Sequence, residues 1–120
     1  MTIKVKRIYE KKSNSDGYRI LVDRMWPRGL NKSEIKIDLW MKEIAPSNEL
    51  RRWFAHDVGR WILFKAKYKR ELRGKMEFIH QIKTLQKQKG IVTFLYSAKD
   101  EEHNNAIALK TFFAEDKLYE

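Results

Sequence analysis

Two polar clusters hold most of the side chains that could do chemistry: Asp23-Arg24-Met25-Trp26-Pro27-Arg28-Gly29 and Lys99-Asp100-Glu101-Glu102-His103-Asn104-Asn105. Arg24 and Arg28 offer planar guanidinium forks suited to phosphate or carboxylate, and Lys99 adds a third cation. Asp23 and Asp100 can orient those cations or accept a proton. His103 is the acid/base candidate, because imidazole changes charge near neutral pH. Asn104 and Asn105 stand where a helix is expected to begin, and the free amides of a helix N-terminus favour anions. Trp26 either lines the same site or plugs the core. His56-Asp57 is a third candidate, set between Trp53-Phe54 and Trp61. His56 beside a carboxylate reads as an oriented base, or as a structural hydrogen-bonder next to an N-cap.

Each of the two clusters follows a short apolar run that reads as a buried strand. Tyr18-Arg19-Ile20-Leu21-Val22 precedes Asp23. Ile91-Val92-Thr93-Phe94-Leu95-Tyr96 precedes Ser97 and Lys99, and is β-branched, aromatic and apolar on both faces. In an open α/β sheet ligands sit at the carboxyl ends of strands. The two clusters are therefore expected to share one cavity. Ile3 to Tyr9 alternates apolar and basic residues, as a half-buried strand does. The polar turn Asn14-Ser15-Asp16-Gly17 is short for a crossover, which leaves a hairpin or a compact parallel return between the first two strands.

Between the strands the spacing predicts helices. Ser33 reads as an N-cap before Ile37, Trp40, Met41 and Ile44, with Pro46 ending that helix. Ser47 caps a short helix carrying Leu50, Trp53 and Phe54. Asp57 caps the next, striped by Trp61, Phe64, Tyr68 and Leu72. Gly74 interrupts it. Met76, Ile79, Ile82 and Leu85 mark another, stopped by Gly90. A final helix is expected from about Asn105 to Ala114. Together these elements predict one α/β domain over residues 1–120. It is a small three-layer arrangement with a short, mostly parallel sheet of about three strands flanked by helices.

The chain has 120 residues, 42% hydrophobic and 35% charged, which describes a globular core under a heavily charged surface. No apolar run approaches the roughly 20 residues of a membrane span, and the first residues lack a secretory signal, so the expected setting is the cytoplasm. Cysteine is absent, which excludes disulfides and thiol catalysis. No cofactor fingerprint is present. His56, His103, Asp23 and Asp100 lack the spacing of a metal motif, so no metal is expected. The net charge is +10. Residues 60–89 carry ten basic and two acidic side chains. This stretch gives the alternative reading, a non-catalytic nucleic-acid module using Lys65, Lys69, Arg70 and Arg73.

Four segments carry a family resemblance: 22–30 (VDRMWPRGL), Ile44-Ala45-Pro46-Ser47, 50–57 (LRRWFAHD) and 95–106 (LYSAKDEEHNNA). On these motifs the chain resembles the YeaO-like bacterial proteins, a branch of the domain of unknown function 488 group. The resemblance covers nearly the whole chain and implies a small cytoplasmic α/β domain, without an established activity. Met25 and Ala55 stand where the family more often has Leu and Gly. The larger group often pairs an Asp-x-Arg-like strand end with a Lys-Asp-x-x-His-Cys-like one. Asn104 stands at the position of that Cys, so a thiol role cannot operate here. The larger group also tends to carry a helix between its first two strands, which a polar turn replaces in this chain.

Overall fold

The structure is a computed structural model, and it describes residues 2–116. Its sheet has four strands: β1 (Thr2–Arg7), β2 (Tyr18–Leu21), β3 (Leu39–Trp40) and β4 (Ile91–Tyr96). Their spatial order is β1-β4-β2-β3, and all three pairings are parallel. Four helices accompany them: α1 (Asn48–Phe54), α2 (Trp61–Arg73), α3 (Met76–Lys89) and α4 (Asn105–Asp116). β4 lies between β1 and β2, which explains its unbroken apolar sequence.

The two faces of the sheet are covered differently. Alternate residues Ile20, Val22, Val92, Phe94 and Tyr96 pack on one side against side chains from all four helices. The intervening residues Leu21 and Leu95 face the other side. There, with Ile8, they meet Trp26, Leu30, Ile35, Ile37 and Trp40 from the long 26–40 connection. This split explains the one helix that the spacing predicted and the chain does not form. Ile37 and Trp40 belong to the second face, whereas Met41 and Ile44 belong to the first. A single helical stripe cannot serve both. The segment instead supplies β3, the fourth strand where about three were expected, followed by a single 3₁₀ turn at Lys42–Ile44.

The β1–β2 connection is the compact parallel return, not a hairpin, because both strands pair with β4. The 3₁₀ turn Asn14–Asp16 does the work of a crossover helix. Asp16 is buried and accepts hydrogen bonds from the Ser13 amide, Lys6 Nζ (3.2 Å) and the Arg19 guanidinium. Burial pushes its carboxyl upward, but these donors outweigh it and hold it below the ordinary aspartate value. Gly17 follows with φ +65°, and a Cβ there would stand 2.3 Å from the Ile91 carbonyl oxygen. Only glycine lets the chain enter β2 that close to β4.

The other expected elements form. Ser47 Oγ accepts from the Leu50 amide and caps α1. Asp57 caps the 3₁₀ turn Val58–Arg60 rather than α2 itself, which follows it from Trp61 without a side-chain cap and buries Phe64, Tyr68 and Leu72. Gly90, at φ +84°, follows α3. α4 starts at Asn105 as expected and runs two residues beyond Ala114.

Candidate functional site

Parallel pairing determines which residues meet at the carboxyl edge of the sheet. Leu21 is in register with Leu95, and Arg7 with Tyr96. Two residues further along, Asp23 comes beside Ser97. Asp23 Oδ2 accepts from the Ser97 amide (2.9 Å) and the Ser97 hydroxyl (2.7 Å), and Oδ1 accepts from Asn105 Nδ2 (3.1 Å). The same Asn105 nitrogen donates to the Val22 carbonyl at 2.9 Å. One carboxylate thus brackets the ends of β2 and β4 and the start of α4. Its burial raises the carboxyl above the ordinary aspartate value, against the lowering by Ser97, Asn105 and the nearby Arg51.

Above this bracket lies a cavity of about 550 Å³. It draws wall residues from all three predicted clusters: Asp23 to Arg28 from the first, Lys99, His103, Asn104 and Asn105 from the second, and His56 from the third. Asp100 is outside the wall but acts on it. Its Oδ2 stands 3.0 Å from His103 Nδ1, while Oδ1 accepts from the Glu102 and His103 amides. The Glu102 amide and then the His103 bonds hold the Asp100 carboxyl below its ordinary value. With Nδ1 anchored, Nε2 is the imidazole nitrogen left for a ligand. Trp61 stands at right angles to the same ring, 5.3 Å between centroids.

The cations differ in how tightly they are held. Arg24 donates to the Pro46 and Ala45 carbonyls, both at 3.3 Å, which ties the first cluster to the approach to α1. The Arg28 side chain and Lys99 have no hydrogen-bond or ion-pair partner among the described residues. Trp26 donates from Nε1 to the Leu30 carbonyl (2.7 Å) and meets Trp40 edge-on, so it serves the second core and the cavity wall together. Asn104 is buried; its Oδ1 caps α4 at the Ile107 amide and its Nδ2 donates to the Asp100 carbonyl. Both ends of that side chain are engaged in positioning the helix.

His56 reaches the cavity through a backbone turn that side-chain-bearing residues seldom adopt. Ala55 (φ +46°) and His56 (φ +57°) are both left-handed. Ala55 terminates α1 in the position where glycine is favoured, in keeping with the glycine more frequent in the resembling family. His56 then turns back beside Phe54, 6.3 Å between ring centres.

Four polar wall residues are not among the site residues the sequence suggests: Arg7, Tyr9, Arg51 and Ser97. Arg7 ends β1, so the strand-end rule would have flagged it. Its guanidinium donates to the Ala98 (2.9 Å) and Ser97 (3.3 Å) carbonyls and lies over the Tyr9 ring. Tyr9 in turn donates to the Arg28 carbonyl. Ser97 leaves the best strand in the chain. Arg51 lies on α1, one turn beyond its cap, where only the folded chain relates it to the strands.

The residues of the alternative reading lie elsewhere, on α2. Lys69 pairs with Glu115 of α4 at 2.9 Å, Lys65 lies over the Trp61 ring, and Arg70 and Arg73 are exposed. Among the described residues no cluster of three metal-binding side chains occurs, and no helix is long and apolar enough to cross a membrane.

Fold and site together define a parallel α/β protein with a cation-rimmed cavity at its strand ends. The chain belongs to the domain of unknown function 488 family: residues 2–120 match the family model described as "Inactive DUF488-N3 subclade". It is similar to the uncharacterized protein YeaO of Escherichia coli (strain K12), 42% identical over 109 residues that span 91% of this chain and 94% of that one. It is also similar to the uncharacterized protein Rv3073c of Mycobacterium tuberculosis (strain ATCC 25618 / H37Rv). That identity is 43% over 70 residues, 58% of this chain and 59% of the relative. No solved structure matches the chain.

Proposed function

We propose that this protein binds a small anionic, phosphate-bearing ligand in the strand-end cavity, and that residues 1–120 act as one domain in doing so. The observation that supports this best is the charge of the wall. Arg7, Arg24, Arg28, Arg51 and Lys99 line it, against the single carboxylate of Asp23. That one carboxylate offsets at most one of the five positive charges. A ligand rich in hydrogen-bond acceptors and negative charge complements such a wall.

Turnover is the second reading, and the Asp100–His103 pair supports it. A carboxylate that fixes Nδ1 leaves Nε2 to give or take a proton, as hydrolysis or group transfer at an anionic substrate requires. The family description contains the word "inactive", which favours binding without turnover.

Thermal unfolding in the presence of phosphate and sulfate tests the reading. The midpoint should rise with anion concentration as mass action requires. The rise should vanish in Arg28→Ala and Lys99→Ala, whose side chains support no other part of the fold. It should persist when Lys65, Lys69, Arg70 and Arg73 are all changed to Gln. The opposite pattern would transfer anion binding to the basic helices and support the nucleic-acid module instead.

A further inference from the structure

We propose that the ligand of this cavity is an organic anion with a flat aromatic body, its oxyanion head on the arginine and lysine rim and its ring against the apolar wall. The inference rests on the anion-binding reading and adds the class of ligand. Three observations carry it.

The first is size. About 550 Å³ lies within the roughly 300–1,000 Å³ of sites that bury drug-sized organic ligands, far more than an inorganic oxyanion fills. The second is the character of the wall. Despite its cations it is predominantly apolar, and six ring-bearing residues, Tyr9, Trp26, Phe54, His56, Phe64 and His103, line it. A site for a bare phosphate or a sugar phosphate would need polar groups around its whole circumference. Here Phe54 and Phe64, with Met25, Pro27, Ala45, Pro46 and Ala98, give a large part of the wall side chains that offer only dispersion and stacking contacts.

The third is Met25. It lies in the loop that carries Arg24 and Arg28, lines the cavity, and is 61% exposed. Trp26 and Pro27 beside it are partly or fully covered. A flexible thioether left in solvent next to two arginines is placed to close over a ring, since methionine sulfur makes favourable contacts with aromatic edges and adapts to their shape. The arginines favour the same ligand, because guanidinium stacks on aromatic faces as well as pairing with oxyanions.

Carbon-13 labelling of the methionine methyl groups gives the test. Inorganic phosphate, butyl phosphate, phenyl phosphate and benzoate are titrated separately into the full-length protein. Phenyl phosphate should saturate at a concentration at least tenfold below inorganic phosphate. It should also give the Met25 methyl a ring-current shift that butyl phosphate does not produce, upfield over the ring face or downfield at its edge, while the Met41 and Met76 methyls stay in place. Benzoate producing the same Met25 shift would equally support the aromatic body and place a carboxylate on the rim. Butyl phosphate binding as tightly as phenyl phosphate, or phenyl phosphate saturating without a Met25 shift, would overturn the inference while anion binding stood. No response to any of the four would overturn the anion-binding reading as well.

Discussion

Removing the Asp23 carboxylate tests whether the site is built by one bracket. In Asp23→Ala the Ser97 amide, the Ser97 hydroxyl and the Asn105 amide lose the acceptor that now joins β2, β4 and α4. Hydrogen bonds to a charged group are worth about 1.5–3 kcal/mol each. Three of them would suggest a large loss, but the raised carboxyl shows that burial works against the ionised form. Ser97 Oγ can also turn to solvent in the cavity, and Asn105 keeps the Val22 carbonyl. The net destabilisation expected at pH 7 is therefore about 2–4 kcal/mol, mostly from the stranded Ser97 amide and the loosened strand ends. Urea denaturation with tryptophan fluorescence measures it, at an unchanged denaturant slope. The pH dependence has a definite sign. The folded carboxyl holds its proton more tightly than the unfolded one, so its contribution to stability grows as pH falls from neutrality towards about 4 and is withdrawn as pH rises through the folded value. The variant lacks this term, so the gap between the two proteins should widen on acidification. A loss below about 1 kcal/mol, or a gap that narrows towards pH 4, would refute the reasoning.

Two further substitutions probe the elements that support the site. Ala55→Gly relieves a left-handed alanine at the end of α1, which costs about 1–2 kcal/mol, while adding backbone freedom to the unfolded chain. A net gain of about 0.5–1 kcal/mol in urea denaturation is expected, and a loss would show that the turn is not strained. Asp16→Ala leaves the buried Arg19 guanidinium without its carboxylate and frees the β1–β2 return. A loss of about 3–5 kcal/mol is expected from thermal or urea unfolding, against under 1 kcal/mol if the pair is dispensable.

What was legible in the sequence followed from strong local signals. Asp23 and Lys99 could be placed at strand ends because Ile20–Val22 and Ile91–Tyr96 are continuous apolar runs next to charge. The caps Ser47 and Asp57 and the stop at Gly90 were readable because each has its own short-range chemistry. Residues 31–41 were not. Their apolar positions match a helical period, but the side chains are divided between the two faces of the sheet, a division only the tertiary fold makes. The same holds for Arg51. Nothing local distinguishes it from Arg52, yet one lines the cavity. The parallel return of β1 to β2 depends on the Asp16–Arg19–Lys6 cluster, in which Lys6 and Arg19, from the two strands, share one carboxylate. Asn104, which the family resemblance sets at the thiol position of the larger group, lies in the cap of α4, a role that asparagine fills well.

A crystal structure of the protein soaked in selenate, with anomalous data at the selenium edge, tests the anion site most directly. The account predicts one strong anomalous peak inside the cavity, within hydrogen-bonding distance of Arg28 or Lys99. Peaks confined to the exposed arginines and lysines of α2 and α3, with none between Asp23 and His103, would contradict it.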